Sequence, residues 1–418
     1  MRAQPMAWAR PAALLLLALL LSSPAWTAGI VTFNQMIVER CPESSCEWRL
    51  SCGAGGPQET QLFSGAKAKT KYKVNINHSL DVPQFPAAVH CTAWEDDGWF
   101  SESWQKVGSG SVDVPAGGDY KLEISSREQG TVSVTMSVDS FEMTIPEPAE
   151  AAKPAAPAKK AAPAKPAPVW QFAAAFNPLP GGRAVVVGME AKPFKDKVSQ
   201  LSSLGLQIDD VETFEQGGKR LWNGIFHNSQ DQVVLITDQD WDKFSASWKK
   251  LTGGKMRLTD LEVYQVGGKN TFAGIFRDLG ESHNFWVGQK RDEFVAKVKE
   301  LSENKGQKLL DVEVYRPSGG GGLLYAGPFR QINLDTNLWT NMTRAAFEAK
   351  LAGLRGKEWQ VIDIETYKDG KERSYDAVVR SGPPGEVLLG VDAAALTARW
   401  RELAKKGLRL VSLELYQE

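Results

Sequence analysis

Residues 260–276 read DLEVYQVGGKNTFAGIF, and this stretch decides the fold because a close copy, DVETFEQGGKRLWNGIF, precedes it at 210–226. In both copies polar and apolar residues alternate on either side of a Gly-Gly pair. That pattern is typical of a β-hairpin with a two-residue turn, because two consecutive glycines readily adopt the positive φ angles that such a turn requires. A repeated hairpin of this kind indicates a repeat protein.

The turn at Gly267-Gly268 fixes which residues of the hairpin lie opposite each other. It pairs Glu262 with Ala273 and places both on the same face as Tyr264. A carboxylate with aromatic and aliphatic neighbours does not lie on an ordinary wet surface. The opposite face is wholly apolar and includes a small residue at which a helix can approach: Leu261, Val263, Phe272, Gly274 and Phe276.

The unit occurs five times between Trp170 and the end of the chain. Each copy contains a helix with apolar residues at i, i+4 and i+7, then a first, a second and a third strand. The region begins with a second strand at 170–176 and ends with a first strand at 411–417. We therefore predict an α+β domain over 170–418, with a three-stranded meander plus a helix per unit. The domain is expected to close as a five-fold, propeller-like ring through pairing of these two terminal strands, because an open solenoid would need polar caps.

One residue that tolerates positive φ stands six positions before the first apolar residue of each predicted helix. The preceding strand is expected to end in a fixed kink at these positions: Gly188, Asp238, Gly288, Asn341 and Gly390.

A glutamate occupies the same strand position in every copy: Glu212, Glu262, Glu313, Glu365 and Glu414. A catalytic residue has no reason to recur five times, whereas a residue that joins each unit to its neighbour does. We therefore interpret these glutamates as structural, accepting hydrogen bonds or ion pairs where units meet. The alternative is a ring of carboxylates that binds a cation or a basic peptide, since close carboxylates raise one another's pKa unless a cation is present.

The repeat signature is a glycine after a helix, a strand ending in an aromatic residue, a glycine turn, and then aromatic-x-small-aliphatic-aromatic. It resembles the bacterial tandem repeat domain found in front of the catalytic domain of polyglycine hydrolases and related serine hydrolases. The resemblance implies the accessory part of such enzymes, because the penicillin-binding-like domain with its serine nucleophile is missing. Ser-x-x-Lys strings occur at 64–67, 247–250 and 302–305, without the Ser-Asp-Asn or Lys-Thr-Gly motifs of that chemistry.

The order of strands and helix also resembles the guanidine-modifying penteins, which depend on a catalytic cysteine with a histidine. The repeats contain no cysteine, and His227 and His283 lie at unmatched positions of the unit. We therefore expect no chemistry of that kind and predict no catalytic residues.

Residues 1–28 have the features of a secretory signal peptide: two arginines, an apolar run over 12–21 and then small residues. Cleavage after Ala25 is favoured over cleavage after Ala28, which would place Trp26 at a restrictive position. No later segment reaches eighteen apolar residues, so no transmembrane segment is expected in the mature chain. The sequence therefore predicts an exported protein, periplasmic or extracellular.

Four cysteines lie in the first quarter of the chain, and an even number in an exported protein predicts two disulfides. Three pairings are possible. We favour one bond that closes a short loop, Cys41–Cys46, and one that joins distant strands, Cys52–Cys91. A zinc site is the alternative, although no C-x-x-C pair is present.

Residues 29–143 contain short runs of alternating polarity between Gly, Pro and Asp turns, which indicates an antiparallel β-sandwich. The stretch AVHCTAWEDDGWFSESWQKVGSGSVDV at 88–114 resembles the third-loop region of the calcium-dependent phospholipid-binding sandwiches first named from protein kinase C. The resemblance implies that Glu95, Asp97 and Glu102 bind calcium. The family's first acidic loop has no counterpart here, so a solvated acidic turn is the other interpretation.

Three aromatic residues stand beside these carboxylates: Trp99, Phe100 and Trp104. Aromatic side chains in such a loop bind by stacking on a sugar or by inserting into an interface. They equally serve to plug the end of a sandwich.

Residues 144–169 are rich in alanine, proline and lysine, which cannot build a core, and therefore form a disordered linker. The formal net charge of −1 argues against a nucleic-acid-binding protein. The resulting hypothesis is an exported, non-catalytic binding or scaffold protein of the bacterial envelope or exterior. Its expected partner is an envelope or extracellular protein, a glycan or a lipid surface. The alternative is a remote member of the serine-hydrolase group with an unrecognised hydrolytic site.

Overall fold

The fold consists of an all-β body followed by the repeat region. The computed structural model describes residues 26–41, 46–68, 70–96, 104–126, 130–144 and 169–417. The leader up to residue 25 and nearly all of the linker therefore lie outside the described residues. No helix within these ranges is long and apolar enough to cross a membrane.

Eight strands make up the first body: β1 (Trp26–Arg40), β2 (Cys46–Ala54), β3 (Thr60–Ala68), β4 (Tyr72–Val82), β5 (Ala87–Asp96), β6 (Trp104–Val114), β7 (Gly118–Ser126) and β8 (Gly130–Met143). Strand β1 begins at Trp26 and thus includes three residues that the division of the sequence placed in the leader.

The two antiparallel sheets of this body are ordered β7-β8-β1-β4 and β3-β2-β5-β6. They pack face to face on one core, in which Phe33 and Met136 of the first sheet meet Trp48 and Val89 of the second. This is the arrangement expected of a sandwich.

Both disulfides are present in the sandwich. The bond Cys41–Cys46 connects the end of β1 to the start of β2, and Cys52–Cys91 joins residues that lie opposite each other in β2 and β5. These are the favoured pairings, and they leave no free cysteine among the described residues.

The repeat region begins with β9 (Trp170–Pro178) and continues through β10 (Arg183–Glu190), α1 (Ala191–Ser203), β11 (Leu206–Gln216), β12 (Lys219–Asn228), β13 (Val233–Gln239), α2 (Trp241–Thr252), β14 (Met256–Val266) and β15 (Lys269–Asp278). It then contains β16 (His283–Gln289), α3 (Arg291–Lys305), β17 (Gln307–Leu309), β18 (Glu313–Tyr315), β19 (Leu324–Gln331), β20 (Thr336–Met342) and α4 (Arg344–Ala352). The last elements are β21 (Trp359–Asp369), β22 (Glu372–Ser381), β23 (Glu386–Val391), α5 (Ala393–Lys405) and β24 (Leu408–Gln417).

The three-stranded sheets are not meanders of consecutive strands, and this part of the prediction is wrong. The third strand of one sequence copy pairs with the second strand of the next copy, as β13 does with β15 in the sheet β13-β15-β14. The structural unit is therefore β–α–β–β, with the helix between its outer strand and its hairpin. Alternating polarity identifies a strand but does not say on which side it pairs.

The hairpin register agrees with the prediction. Glu262 lies opposite Ala273 and Val263 opposite Phe272, and Gly267 and Gly268 have φ angles of 58° and 75°. All five predicted kink positions also have positive φ: Gly188, Asp238, Gly288, Asn341 and Gly390.

Each helix packs on its hairpin where the second strand carries a small residue. A Cβ atom added to Gly274 would lie 3.1 Å from Cζ of Phe244 in α2 and 2.8 Å from Cδ1 of Leu258. The close approach of the helix therefore requires glycine in this unit. The fourth and fifth units have Ala377 and Ala174 at the same register position.

The first strands of the five units meet one another in sequence order. Strand β11 contacts β14, the series continues through β18 and β21 to β24, and β24 also contacts β11. The fifth unit is completed by β9 from the start of the region, which pairs with both β23 and β24. The pairing of the first and last strands of the region agrees with the sequence prediction.

The linker is not the only connection between the sandwich and the repeats. The end of β8 pairs in parallel with β10, so that Ser140–Met143 lie beside Ala184–Val187 in one continuous sheet. Near this junction the buried Asp139 accepts a bond from the backbone N–H of Arg183, at 3.1 Å, and an ion pair from Nε of Arg409, at 3.0 Å. Burial raises the pKa of Asp139 to about 6, although the charge of Arg409 acts in the opposite direction.

Candidate functional site

Nine buried carboxyl groups project from the first strands of the repeats. We call them the carboxylate core: Asp210, Asp260, Asp311 and Asp363, with Glu212, Glu262, Glu313, Glu365 and Glu414. Each aspartate precedes the glutamate of its unit by two residues and therefore shares its face of the strand. Ser412 takes the place of the aspartate in the fifth unit.

The aspartates bond to the preceding unit. Each accepts the backbone N–H of a neighbouring first strand: Val211 donates to Asp260 at 3.2 Å, Leu261 to Asp311 at 2.8 Å, Val312 to Asp363 at 2.9 Å and Ile364 to Ser412 at 3.0 Å. A side chain thus takes the place that a strand partner would have between units.

Two of the glutamates also accept bonds from the preceding unit. Glu262 accepts the hydroxyl of Thr213 at 2.6 Å, and Glu313 accepts the backbone N–H of Val263 at 3.0 Å. The aspartates were missed in the sequence, although an Asp-x-Glu spacing in four of the five first strands could have identified them.

Burial is the main influence on the pKa values of the carboxylate core. It raises the pKa of Glu212 well above the ordinary value, and the charges of Glu414 and Glu262 raise it further. Burial raises the pKa of Glu414 to about 8, against a hydrogen bond from Glu365 that lowers it, and that of Asp363 to about 7. The core therefore resists full ionisation at neutral pH unless positive charge accompanies it.

Three of these glutamates lie close enough to share one ion. Glu212, Glu262 and Glu313 each offer a carboxylate oxygen, and the three oxygens lie within 4.8 Å of one another. Oxygen donors of this type suit hard cations such as Ca²⁺ or Mg²⁺.

A cavity of about 340 Å³ opens at the aspartate end of the carboxylate core. Basic side chains line it, and we call them the arginine mouth: Arg183, His227, Arg277, Arg330 and Arg380. The last four occupy the same position in the second strands of four successive units, next to their register partners Gln207, Arg257, Lys308 and Gln360.

Asp209 balances one side of the arginine mouth. Its carboxylate lies 3.3 Å from Arg183 and from His227, and 3.0 Å from Arg277. Burial opposes ionisation of Asp209, but the bond to His227 and the charges around it outweigh burial and lower its pKa. Arg277 also donates to the carbonyl of Ile208 in the preceding unit, so part of this arginine's role is structural.

Arg330 and Arg380 lie on the opposite side of the mouth. Arg330 pairs with Glu281 at 2.8 Å. Burial lowers the pKa of Arg380, which indicates a guanidinium group that has lost much of its hydration. These two side chains are therefore the best placed to bind an acidic group entering the cavity.

A larger cavity of about 560 Å³ lies between α4 and the loop before β23. Its lining mixes the apolar side chains of Leu351 and Trp359 with the charged ones of Glu348, Arg355 and Glu386. It belongs to a single junction between neighbouring units and does not collect one position from several of them. We therefore place the candidate site at the arginine mouth and the carboxylate core.

The acidic and aromatic loop of the sandwich is described only at its edges. Asp97, Trp99, Phe100 and Glu102 lie outside the described residues, so calcium binding there stays a prediction. Glu95 is 3% exposed and lies within β5, opposite Trp48 and Gln105.

Trp104 begins β6, and the guanidinium of Arg49 lies 4.3 Å from the centre of its ring. One face of this tryptophan is therefore taken by a cation–π contact within the sandwich.

The Ser-x-x-Lys strings lie on three different elements. Ser64 is in β3, Ser247 is in α2, and Ser302 is in the last turn of α3. Ser302 accepts a bond from Lys308 at 2.8 Å, not from the lysine of its own string.

A family model described as polyglycine hydrolase-like, structural repeat matches residues 232–278 and 382–418. The match confirms the resemblance drawn from the repeat signature. The first matched segment contains β13, α2, β14 and β15, which is one complete β–α–β–β unit. The second contains β23, α5 and β24, which is the split unit without β9.

Several solved structures resemble parts of the chain. A calcium-and-lipid-type C2 domain of plant extended synaptotagmin 1 has 9% identity and a TM-score of 0.22, over 27% of this chain and 94% of that one. Another C2 domain has 10% identity and a TM-score of 0.20, over 27% of this chain and 97% of that one.

Human GIVD cytosolic phospholipase A2 has 6% identity and a TM-score of 0.22, over 79% of this chain and 36% of that one, so the chain spans about a third of the phospholipase. No conclusion about function follows from likenesses this weak. No curated protein matches the chain in sequence.

Proposed function

We propose that this chain is an exported, non-catalytic binding protein whose five units close into a propeller-like ring. Closure is supported by the pairing of β9 with β24 and by the contact between β24 and β11. Export is supported by the signal-like sequence of residues 1–28 and by the two disulfides, which persist in oxidising compartments.

The arginine mouth is the surface that we propose for binding. One observation carries this assignment: four units bring the same strand position, occupied by His227, Arg277, Arg330 and Arg380, to a single cavity. A cavity of about 340 Å³ accepts a small ligand or one group of a larger partner. Guanidinium groups favour carboxylates, phosphates and sulfates because their N–H donors match pairs of oxygens. The partner is therefore an acidic group on an envelope or extracellular protein, glycan or lipid.

An accessory role beside a separate serine hydrolase is the second candidate. The family match supports it, because the matched description is that of a structural repeat and not of a catalytic domain. In that case the arginine mouth positions the substrate or the partner enzyme and breaks no bond itself.

The proposal is tested by calorimetric titration of the mature chain with a glutamate-rich peptide and with inorganic phosphate. We expect binding that weakens as salt is raised and that falls about tenfold or more in the Arg330→Gln/Arg380→Gln variant. The matched control is Arg316→Gln, an exposed arginine that does not line the cavity. Absence of binding to both probes, or equal binding by the double variant, contradicts the proposal.

A further inference from the structure

The cluster formed by Glu212, Glu262 and Glu313 joins three consecutive units through three oxygens within 4.8 Å of one another. Their exposed fractions are 6%, 6% and 3%, so water has little access to them. Three carboxyl groups at this separation and depth require shared protons or a cation, because three buried anions repel strongly.

Asp210 supplies a second and independent observation. It is 6% exposed, and its Oδ2 atom has no hydrogen-bond partner within the described part of the chain. Asp210 leaves β11 on the same face as Glu212. The charges that act on it include those of Asp363, Glu414 and Glu262, from three other units, so its carboxyl points into the carboxylate core. A buried acceptor without a donor is the environment in which a cation is stabilised.

The donor set indicates the class of ion. The carboxylate core offers only carboxylate oxygens, which favour Ca²⁺, Mg²⁺ or Mn²⁺ over ions that prefer nitrogen or sulfur ligands. Oxygens on opposite sides of a bound Ca²⁺ lie about 4.8 Å apart, since each Ca–O distance is about 2.4 Å. The spread of the three glutamate oxygens is within that limit, so Ca²⁺ fits without rearrangement of the strands.

We propose that Glu212, Glu262 and Glu313, with Asp210 beside them, bind a divalent cation of the calcium type. The cation replaces repulsion among the carboxylates by attraction and so holds the first strands of three units together. The site does not depend on a ligand at the arginine mouth, so either proposal can fail without the other.

The experiment compares melting of the chelator-stripped mature chain in chelator and in millimolar Ca²⁺, Mg²⁺ or Mn²⁺. We expect Ca²⁺ to raise the melting temperature of the wild type by several degrees, because an ion that binds only the folded state stabilises it. The Glu262→Gln and Glu313→Gln variants, which keep the side-chain shape, should lose most of this shift. In chelator they should melt at or above the wild-type temperature, since each removes one carboxyl from a repulsive cluster.

Two controls locate the ion. Glu365→Gln changes a glutamate of the carboxylate core outside the group of three and should keep the shift. Asp97→Asn/Glu102→Gln removes the calcium ligands predicted in the sandwich and should also keep it. The proposal is overturned if none of the three ions shifts the wild type, if both Glu262→Gln and Glu313→Gln retain the shift, or if the sandwich variant abolishes it. Circular dichroism in chelator establishes that each variant is folded, and either glutamate variant alone decides the outcome if the other does not fold.

Discussion

At the scale of single residues, the repeated acidic side chains connect units and are not isolated surface charges. The half-apolar face of the hairpin predicted that Glu262 would be buried, and it is 6% exposed. The hydrogen-bond partners could not be predicted, because Thr213 and Val263 reach their glutamates across unit boundaries. The role of the aspartates was also hidden, since it depends on which neighbouring strand presents its N–H groups.

Asp311 provides a direct test of this connecting role. Asp311→Ala leaves the buried N–H of Leu261 without its acceptor, and we expect a loss of about 1–3 kcal/mol in the free energy of unfolding. Asp311→Asn keeps an acceptor oxygen and should lose less. Urea unfolding of both variants in the presence of chelator measures the difference, and an alanine variant as stable as the asparagine variant would show that the bond is unimportant.

Asp376 predicts a pH dependence that can be isolated. Its carboxylate accepts bonds from the N–H of Asn341 at 2.6 Å and from the hydroxyl of Tyr367 at 2.8 Å, yet burial raises its pKa to about 6. The folded state therefore keeps a proton that the unfolded state loses near its ordinary pKa of 3.8. The resulting stabilisation is fully present below about pH 4 and is lost as the pH rises through about 6.

The Asp376→Asn variant has no such titration and serves as the reference. The stability of the wild type relative to this variant should fall by about 3 kcal/mol between pH 4 and pH 7, which corresponds to the distance between the two pKa values. Chemical unfolding of both proteins across this range measures it. A difference that is constant, or that grows in favour of the wild type as pH rises, contradicts the assignment.

At the scale of elements, turn chemistry and side-chain period made the hairpin predictable, whereas strand partners beyond the hairpin were not. The Gly267-Gly268 turn fixed the pairing of β14 with β15, because a two-residue loop admits a single register. The partner of β13 depends on where α2 returns the chain, and alternation of polarity contains no information about that. The small residue opposite Leu261 was the useful sign of helix packing, and Gly274 lies against Phe244.

Gly274→Ala tests the contact between helix and hairpin. The added methyl group would lie within 3.1 Å of Phe244 and Leu258, so we expect a loss of about 1–3 kcal/mol from crowding in the core. Gly322→Ala is the matched control, because its Cβ would meet no atom within 4 Å. Thermal unfolding should leave the control within about 0.5 kcal/mol of the wild type. Equal stability of the two variants would argue against close packing of α2.

At the scale of the whole molecule, two long-range pairings organise the chain. Strand β9 completes the fifth unit with β24, and β8 of the sandwich pairs with β10 of the first unit. The first pairing was predictable because a unit was split between the two ends of the repeat region. The second was not, since β8 and β10 are separated by the linker and nothing in their polarity pattern distinguishes a parallel partner. Asp139 and Arg409, which are 270 positions apart, form a buried ion pair at 3.0 Å that no local pattern announces.

The pairing of β9 with β24 supports the proposed ring and allows the most direct measurement. Pro178 and Leu408 lie opposite each other at the end of this pair, at a spacing that a disulfide can bridge. In the Pro178→Cys/Leu408→Cys variant we expect an intramolecular disulfide under mild oxidation, identified by mass spectrometry of the linked peptides, and a higher melting temperature than in the reduced form. Thiols that stay unlinked in the folded monomer would contradict closure of the repeat region through its terminal strands.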